Sequence, residues 1–234
     1  MSWVLANLPT IAGHLLAHLL QAVPAIIASF VLAIPVARLA RASRPLRAVL
    51  VTGSSLLYAI PSLALFVILP IILATGIRDP LNVIVALTLY GLALLVPATA
   101  DALDAVDARV LDAATAMGMG RLRCFLTVEL PLAGLAILTG LRVVTVSTIS
   151  LTTVGAVLGV RSLGWLFTDG FQRGITAEIV TGLAATAALA LVLDGLVLAL
   201  GRLCLPWTWK RAGDAGAVAA GACAAAPNSQ EGQA

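Results

Sequence analysis

Charge is what this sequence has least of. Only 11% of its 234 residues are Asp, Glu, Lys or Arg, where a soluble domain carries about 25%. The stretches Ser2 to Ala37, Ala48 to Ile77, Leu81 to Ala100, Val143 to Val160 and Ile179 to Leu193 carry no acid, lysine or arginine. That excludes a water-soluble globule. Lysine is represented by Lys210 alone, and no G-x-x-x-x-G-K-[ST] run occurs, so the chain cannot cradle nucleotide phosphates. The two histidines, His14 and His18, are one helical turn apart, yet two ligands without a neighbouring carboxylate are too few for a metal site. They read as polar residues at a membrane interface. No Ser/His or paired-Asp arrangement falls in adjacent apolar stretches, which argues against an intramembrane protease or lipid transferase. The three cysteines, Cys124, Cys204 and Cys223, are odd in number and far apart, and imply neither a disulfide framework nor zinc. A basic segment is missing before the first apolar run, so no cleavable leader is expected. No internal repeat emerges, and nothing points to a nucleic-acid partner or to a cofactor.

Apolar residues are what the chain has in excess: 61% of the total, with a mean hydropathy of +1.07. A membrane-crossing helix needs about 20 of them in succession. Five spans are predicted, near His14–Ala37, Val49–Thr75, Leu81–Ala100, Leu130–Leu158 and Ala177–Leu200. The fold class is therefore all-α, a polytopic membrane protein surrounded by lipid. The second and fourth spans exceed what a bilayer requires, so tilt or a break is expected there. Pro24, Pro35, Pro61, Pro70 and Pro97 lie in or near spans, where neighbouring helices can satisfy the freed carbonyls. The tail from Ala212 to Ala234 is rich in Ala and Gly without periodicity, and is expected to be disordered. Trp3, Trp165, Trp207 and Trp209 fall near span ends, as an aromatic belt requires.

Basic residues set the orientation. One side of the membrane holds Arg38, Arg41, Arg44, Arg47, Arg109, Arg121, Arg123, Arg202, Lys210 and Arg211. The other holds only Arg78, Arg161 and Arg173. Ten against three predicts the N-terminus outside, the C-terminus in the cytoplasm, and the segment between the third and fourth spans also in the cytoplasm. Two charges remain at membrane depth, Arg142 and Asp194. Their positions along their spans, at similar depth, would let them pair between helices or serve a pathway.

The polar segment between the third and fourth spans is the most specific feature. It reads Asp112-Ala113-Ala114-Thr115-Ala116-Met117-Gly118 and, after nine residues, Val128-Glu129-Leu130-Pro131. On a helix Ala113, Ala116, Met117 and Gly120 share a face, with Ala114 and Gly118 beside them. Small residues permit close approach of another surface, and Met adds an adaptable apolar contact. Asp112 is expected near the helix start, where an acid meets the positive dipole end.

The spacing of Asp112, Ala113, Ala114, Gly118, Leu130 and Pro131 resembles the EAA loop of ABC importer permeases, with Asp112 in place of the usual Glu. Ile60-Pro61-Ser62-Leu63-Ala64-Leu65-Phe66 and Leu87-Thr88-Leu89-Tyr90-Gly91-Leu92 resemble segments of permeases for glycine betaine, carnitine, choline and related osmoprotectants. Gly140-Leu141-Arg142 resembles their A-G-I-R. The similarity runs from about Leu15 to Arg202. It implies a type I importer permease, moving quaternary ammonium solutes across the bacterial inner membrane by alternating access. The alternative is a permease for methionine or another small amino acid. The implied partners are a cytoplasmic ABC ATPase dimer docked on the loop, a second permease copy or paralogue, and an extracytoplasmic solute-binding protein. The implied organisation is an external segment over 1–13, a permease domain over 14–203 and a cytoplasmic tail over 204–234. Pro61, Ser62, Tyr90, Arg142 and Asp194 are the candidates for the pathway or its gate. No residue is expected to be catalytic.

Overall fold

The computed structural model describes residues 2–206, and among these every regular element is helical. The predicted disordered tail, with Trp207, Trp209, Lys210 and Arg211, lies outside the described residues. Ten α-helices follow in order. They are α1 (Ser2–Ala6), α2 (Leu8–Ala40), α3 (Arg44–Ala59), α4 (Ser62–Leu73), α5 (Pro80–Asp104), α6 (Ala108–Ala116), α7 (Arg121–Cys124), α8 (Leu130–Val154), α9 (Trp165–Arg173) and α10 (Thr176–Cys204). The helix of the first span begins at Leu8, so residues 8–13 are helical and continuous with it.

Four stretches are long and apolar enough to cross a membrane unbroken: α2, α5, α10, and a continuous helix of 38 residues, Arg121–Leu158. The second predicted span, Val49–Thr75, is instead a pair. α3 and α4 meet at a 107° bend. The cause is local: Pro61 has no N–H to donate, and its ring pushes Ile60 out of the helical region to φ −67°, ψ 129°. The fourth span does not break. Pro131 again removes a backbone donor, but here the helix absorbs the loss as a π-helical turn over Phe125–Glu129, in which the Leu130 N–H reaches back to the Phe125 carbonyl.

α2 and α5 form the centre. On α2 the residues Ala22, Ala25, Ser29, Ala33, Ala37 and Ala40 recur every three or four positions, and all are fully buried at 0% exposure. In lipid, apolar surface gains little from helix association, so close backbone approach through small residues carries the packing. Gly91 on α5 meets this stripe: a methyl group there would overlap the Ser29 side chain. The Ser29 hydroxyl donates to the Ala25 carbonyl at 2.7 Å and lies 3.2 Å from the Thr88 carbonyl of α5. α5 packs in turn on α3, α4 and α8, while α10 packs on α8 and α9. The bundle sorts its charges into two ends. Arg41, Arg47, Asp101, Asp104 and Glu129 lie at one end, and Arg78, Trp165 and Asp169 line a polar cavity of about 390 Å³ at the other.

Candidate functional site

Asp107 opens the polar segment, its carboxylate accepting the Arg109 N–H at 2.9 Å as the N-cap of α6. Asp112 is therefore in the middle of α6, not near its start, and the dipole role expected of it belongs to Asp107. Asp107 was identifiable in the sequence as an Asp immediately ahead of a helical run. The helix ends at Ala116, so Gly118 and Gly120 are not on its face. Gly118 sits at φ +83° with open space around its Cα. The left-handed backbone requires glycine here, since another L-residue pays about 1–2 kcal/mol. Asp112, Ala113, Ala116, Met117 and Gly118 form an exposed surface, with Met117 72% exposed. Only Ala114 turns inward, at 2% exposure. Leu130 and Pro131 are on a different surface. They begin α8 and line an apolar cavity of about 450 Å³ with residues of α2 and α10. The motif thus divides in two: 112–118 faces out, and 130–131 anchors the segment to the bundle.

The anchor is electrostatic as well as apolar. Arg41, just past α2, pairs with Asp104 at the end of α5 at 2.8 Å and with Glu129 of the π turn. Arg47 on α3 pairs with Asp101 at 3.1 Å and with Asp104. Arg38 lies over the ring of Phe125, 4.1 Å from its centroid. These contacts join α2, α3 and α5 to the residues that follow the exposed loop. In the sequence these arginines served only the count of positive charge. The signal for their pairing was present: three acids, Asp101, Asp104 and Glu129, flank the loop in a chain with 11 acids.

Deeper in the bundle, Arg142 of α8 and Asp194 of α10 form a two-point ion pair. Nε to Oδ1 is 2.8 Å and Nη2 to Oδ2 is 2.6 Å. The fork-to-carboxylate geometry fixes the two helices against each other. Pro61 and Ser62 stand at the α3–α4 bend, and the Tyr90 hydroxyl donates to the Ile60 carbonyl at 2.6 Å. The sequence candidates for the pathway therefore fall in two places, a helix break tied to α5 and an ion pair between α8 and α10.

The histidines differ from expectation. His18 is fully buried in the bundle, not at an interface, and His14 stacks on Trp165 at 4.7 Å between ring centroids. The i, i+4 spacing placed them on one face of α2, but the sequence held no sign that α8 and the loop before α9 would cover it. Among the described residues no group of three or more metal-ligating side chains forms.

Comparison with known proteins accounts for this arrangement. Residues 25–209 match the family model described as "Binding-protein-dependent transport system inner membrane component". The choline transport system permease protein OpuBD of Bacillus subtilis is 30% identical over 197 residues, covering 84% of this chain and 86% of that protein. The glycine betaine/carnitine/choline transport system permease protein OpuCD of the same organism is 29% identical, covering 76% of each. Among solved structures, an inward-facing form of the MetNI methionine ABC transporter superposes with a TM-score of 0.73 at 19% identity, over 83% of this chain and 95% of that one. That likeness establishes the type I importer permease fold. The chain belongs to the family of inner-membrane permease components of binding-protein-dependent ABC importers, in which ATP hydrolysis is carried by a separate subunit.

Proposed function

We propose that this chain is the permease subunit of an ATP-driven importer of quaternary ammonium osmoprotectants, glycine betaine, carnitine or choline. The observation that carries the transport reading is the two-faced loop. Its outer face, Asp112 to Gly118, is free for an ATPase groove, a helix-in-groove contact. Its inner anchors, Arg41–Glu129, Arg38–Phe125 and Leu130-Pro131, tie it to α2, α5 and α8. A displacement of the ATPase would thereby be passed to these long helices of the bundle. Ten basic residues against three put that loop in the cytoplasm and the N-terminus outside. The permease unit spans about 14–203. A second permease copy or paralogue completes the pore within the lipid bilayer, and an external binding protein delivers the solute.

The solute class rests on the names of the relatives and on Ile60–Phe66 and Leu87–Leu92. A methyl-covered cation cannot donate hydrogen bonds from its head, so an aromatic cage in the binding protein supplies the selection. The path then needs only weak contacts, because tight binding would slow release. The test is uptake of radiolabelled solutes in a strain without other betaine systems. ATP-dependent accumulation of betaine or choline that requires this gene supports the reading. Methionine uptake without response to betaine sinks it.

A further inference from the structure

The α3–α4 break has a physical consequence. A bilayer core offers no water to backbone groups, so irregular backbone at membrane depth persists only inside protein or beside a water-filled cavity. The break is at that depth. Its Ile60 carbonyl accepts from Tyr90, the eleventh of the 25 residues of α5, midway along a crossing helix. It is also not enclosed by this chain: Ile60 is 41% exposed and Tyr58 46%, and none of α3's side chains is buried. An interrupted span of this kind is a recurrent position for solute contact in transporters.

The chemistry at the break is aromatic. Tyr90 is 3% exposed and spends its hydroxyl on the Ile60 carbonyl, so its position is fixed. Tyr58 stands edge-on against it, 5.9 Å between centroids and 86° between planes. Tyr58 is thus held by a locked partner while nearly half of its surface remains open. Ser54 and Ser55, one turn earlier on α3, lie on the same side, and Ser62 begins α4 beyond the bend. The α3–α4 pair itself carries no acid, and the acids that reach α3, Asp101 and Asp104, meet it at Arg47 near its start, away from Tyr58.

We propose that Tyr58, braced by Tyr90, is a contact station for the cationic head of the solute on its way through the membrane. The inference rests on the quaternary ammonium reading above and adds a residue to it. An aromatic face attracts a methylated cation without a hydrogen bond, and a lone ring holds it weakly. An acid at the same place would bind more strongly and slow passage. One ring suits a step that the solute must leave.

Two measurements on the intact transporter test this. In the first, Tyr58→Phe and Tyr58→Leu are compared for choline uptake. Retention of the ring should leave transport close to the unmodified level, and its loss should lower transport roughly two- to fivefold. In the second, Tyr58→Cys is introduced with Cys124, Cys204 and Cys223 replaced. The new thiol should react with a water-soluble, quaternary ammonium methanethiosulfonate, and choline should slow the reaction more than its uncharged analogue 3,3-dimethylbutanol does. Uptake unchanged in Tyr58→Leu, or equally impaired in Tyr58→Phe, overturns the station. So does a Tyr58→Cys thiol that no aqueous reagent reaches, as burial by lipid or by a second copy would give. Absence of choline, glycine betaine and carnitine uptake by the unmodified transporter sinks the solute class, and this inference with it. Normal uptake with an unaffected Tyr58→Leu sinks this inference alone.

Discussion

At the scale of single residues, Gly118 has the most constrained role. Its φ of +83° and open surroundings separate two effects that a substitution there combines. Gly118→Ala adds only strain, about 1–2 kcal/mol, and should reduce coupling in part. Gly118→Trp adds a ring on the exposed face. It should abolish solute uptake and stimulated ATP hydrolysis while membrane insertion stays normal. Asp112→Ala, in mid-helix with its side chain exposed, should be milder than either. Normal transport by Gly118→Trp would show that this turn does not meet the ATPase. The Arg142–Asp194 pair makes a second prediction. Each single change, Arg142→Ala or Asp194→Ala, leaves one charge without its partner at membrane depth and should lower uptake strongly. The exchange Arg142→Asp with Asp194→Arg should recover part of it. If the exchange is no better than the single changes, orientation and not charge pairing is what counts.

At the scale of elements, the sequence disclosed which segments cross the membrane but not how they bend. Pro61 lies within a long apolar run and Pro131 at the start of one, two residues after Glu129. One breaks its helix by 107° and the other leaves a continuous helix with a π turn. The difference depends on neighbours: Tyr90 is positioned to take the Ile60 carbonyl, and α2 and α5 hold Glu129 and Phe125 in line. These are contacts between residues far apart in sequence, which no local pattern reveals. The loop was legible because its spacing is local. The place of Asp112 in α6 was not, because the segment held two acids at capping distance and Asp107 took the cap. The ionic joint should act on coupling more than on stability, since exposed pairs contribute about 0.2–1 kcal/mol each. Arg41→Glu should therefore leave the protein folded and inserted, yet lower solute-stimulated ATP hydrolysis. Adding Glu129→Arg should restore a portion. Equal activity in Arg41→Glu and the unmodified protein would rule out the joint as a transmission element.

At the scale of the whole molecule, the bundle separates an arginine-rich end that holds the exposed loop from an end with few charges. In the orientation proposed above, the first faces the cytoplasm. Reporter fusions at Gly76 and Arg173 should register an external position, and a fusion at Ser43 a cytoplasmic one. A cytoplasmic signal at Gly76 would invert the assignment. The broken α3–α4 pair and the exposed faces of α3 and α10 leave surface on which the second permease proposed above would pack.

On the function proposed above, residues 112–118 are where this permease meets its ATPase. Site-specific crosslinking tests it most directly. Met117→Cys, in a chain with its native cysteines replaced, is paired with cysteines introduced around the groove of the copurified ATPase. Phe171→Cys, 81% exposed at the opposite end, serves as the control. Met117→Cys should give a crosslinked permease–ATPase species that changes in yield with ATP, and Phe171→Cys none. A stable complex that gives no crosslink at Met117 or at Ala113 would contradict it.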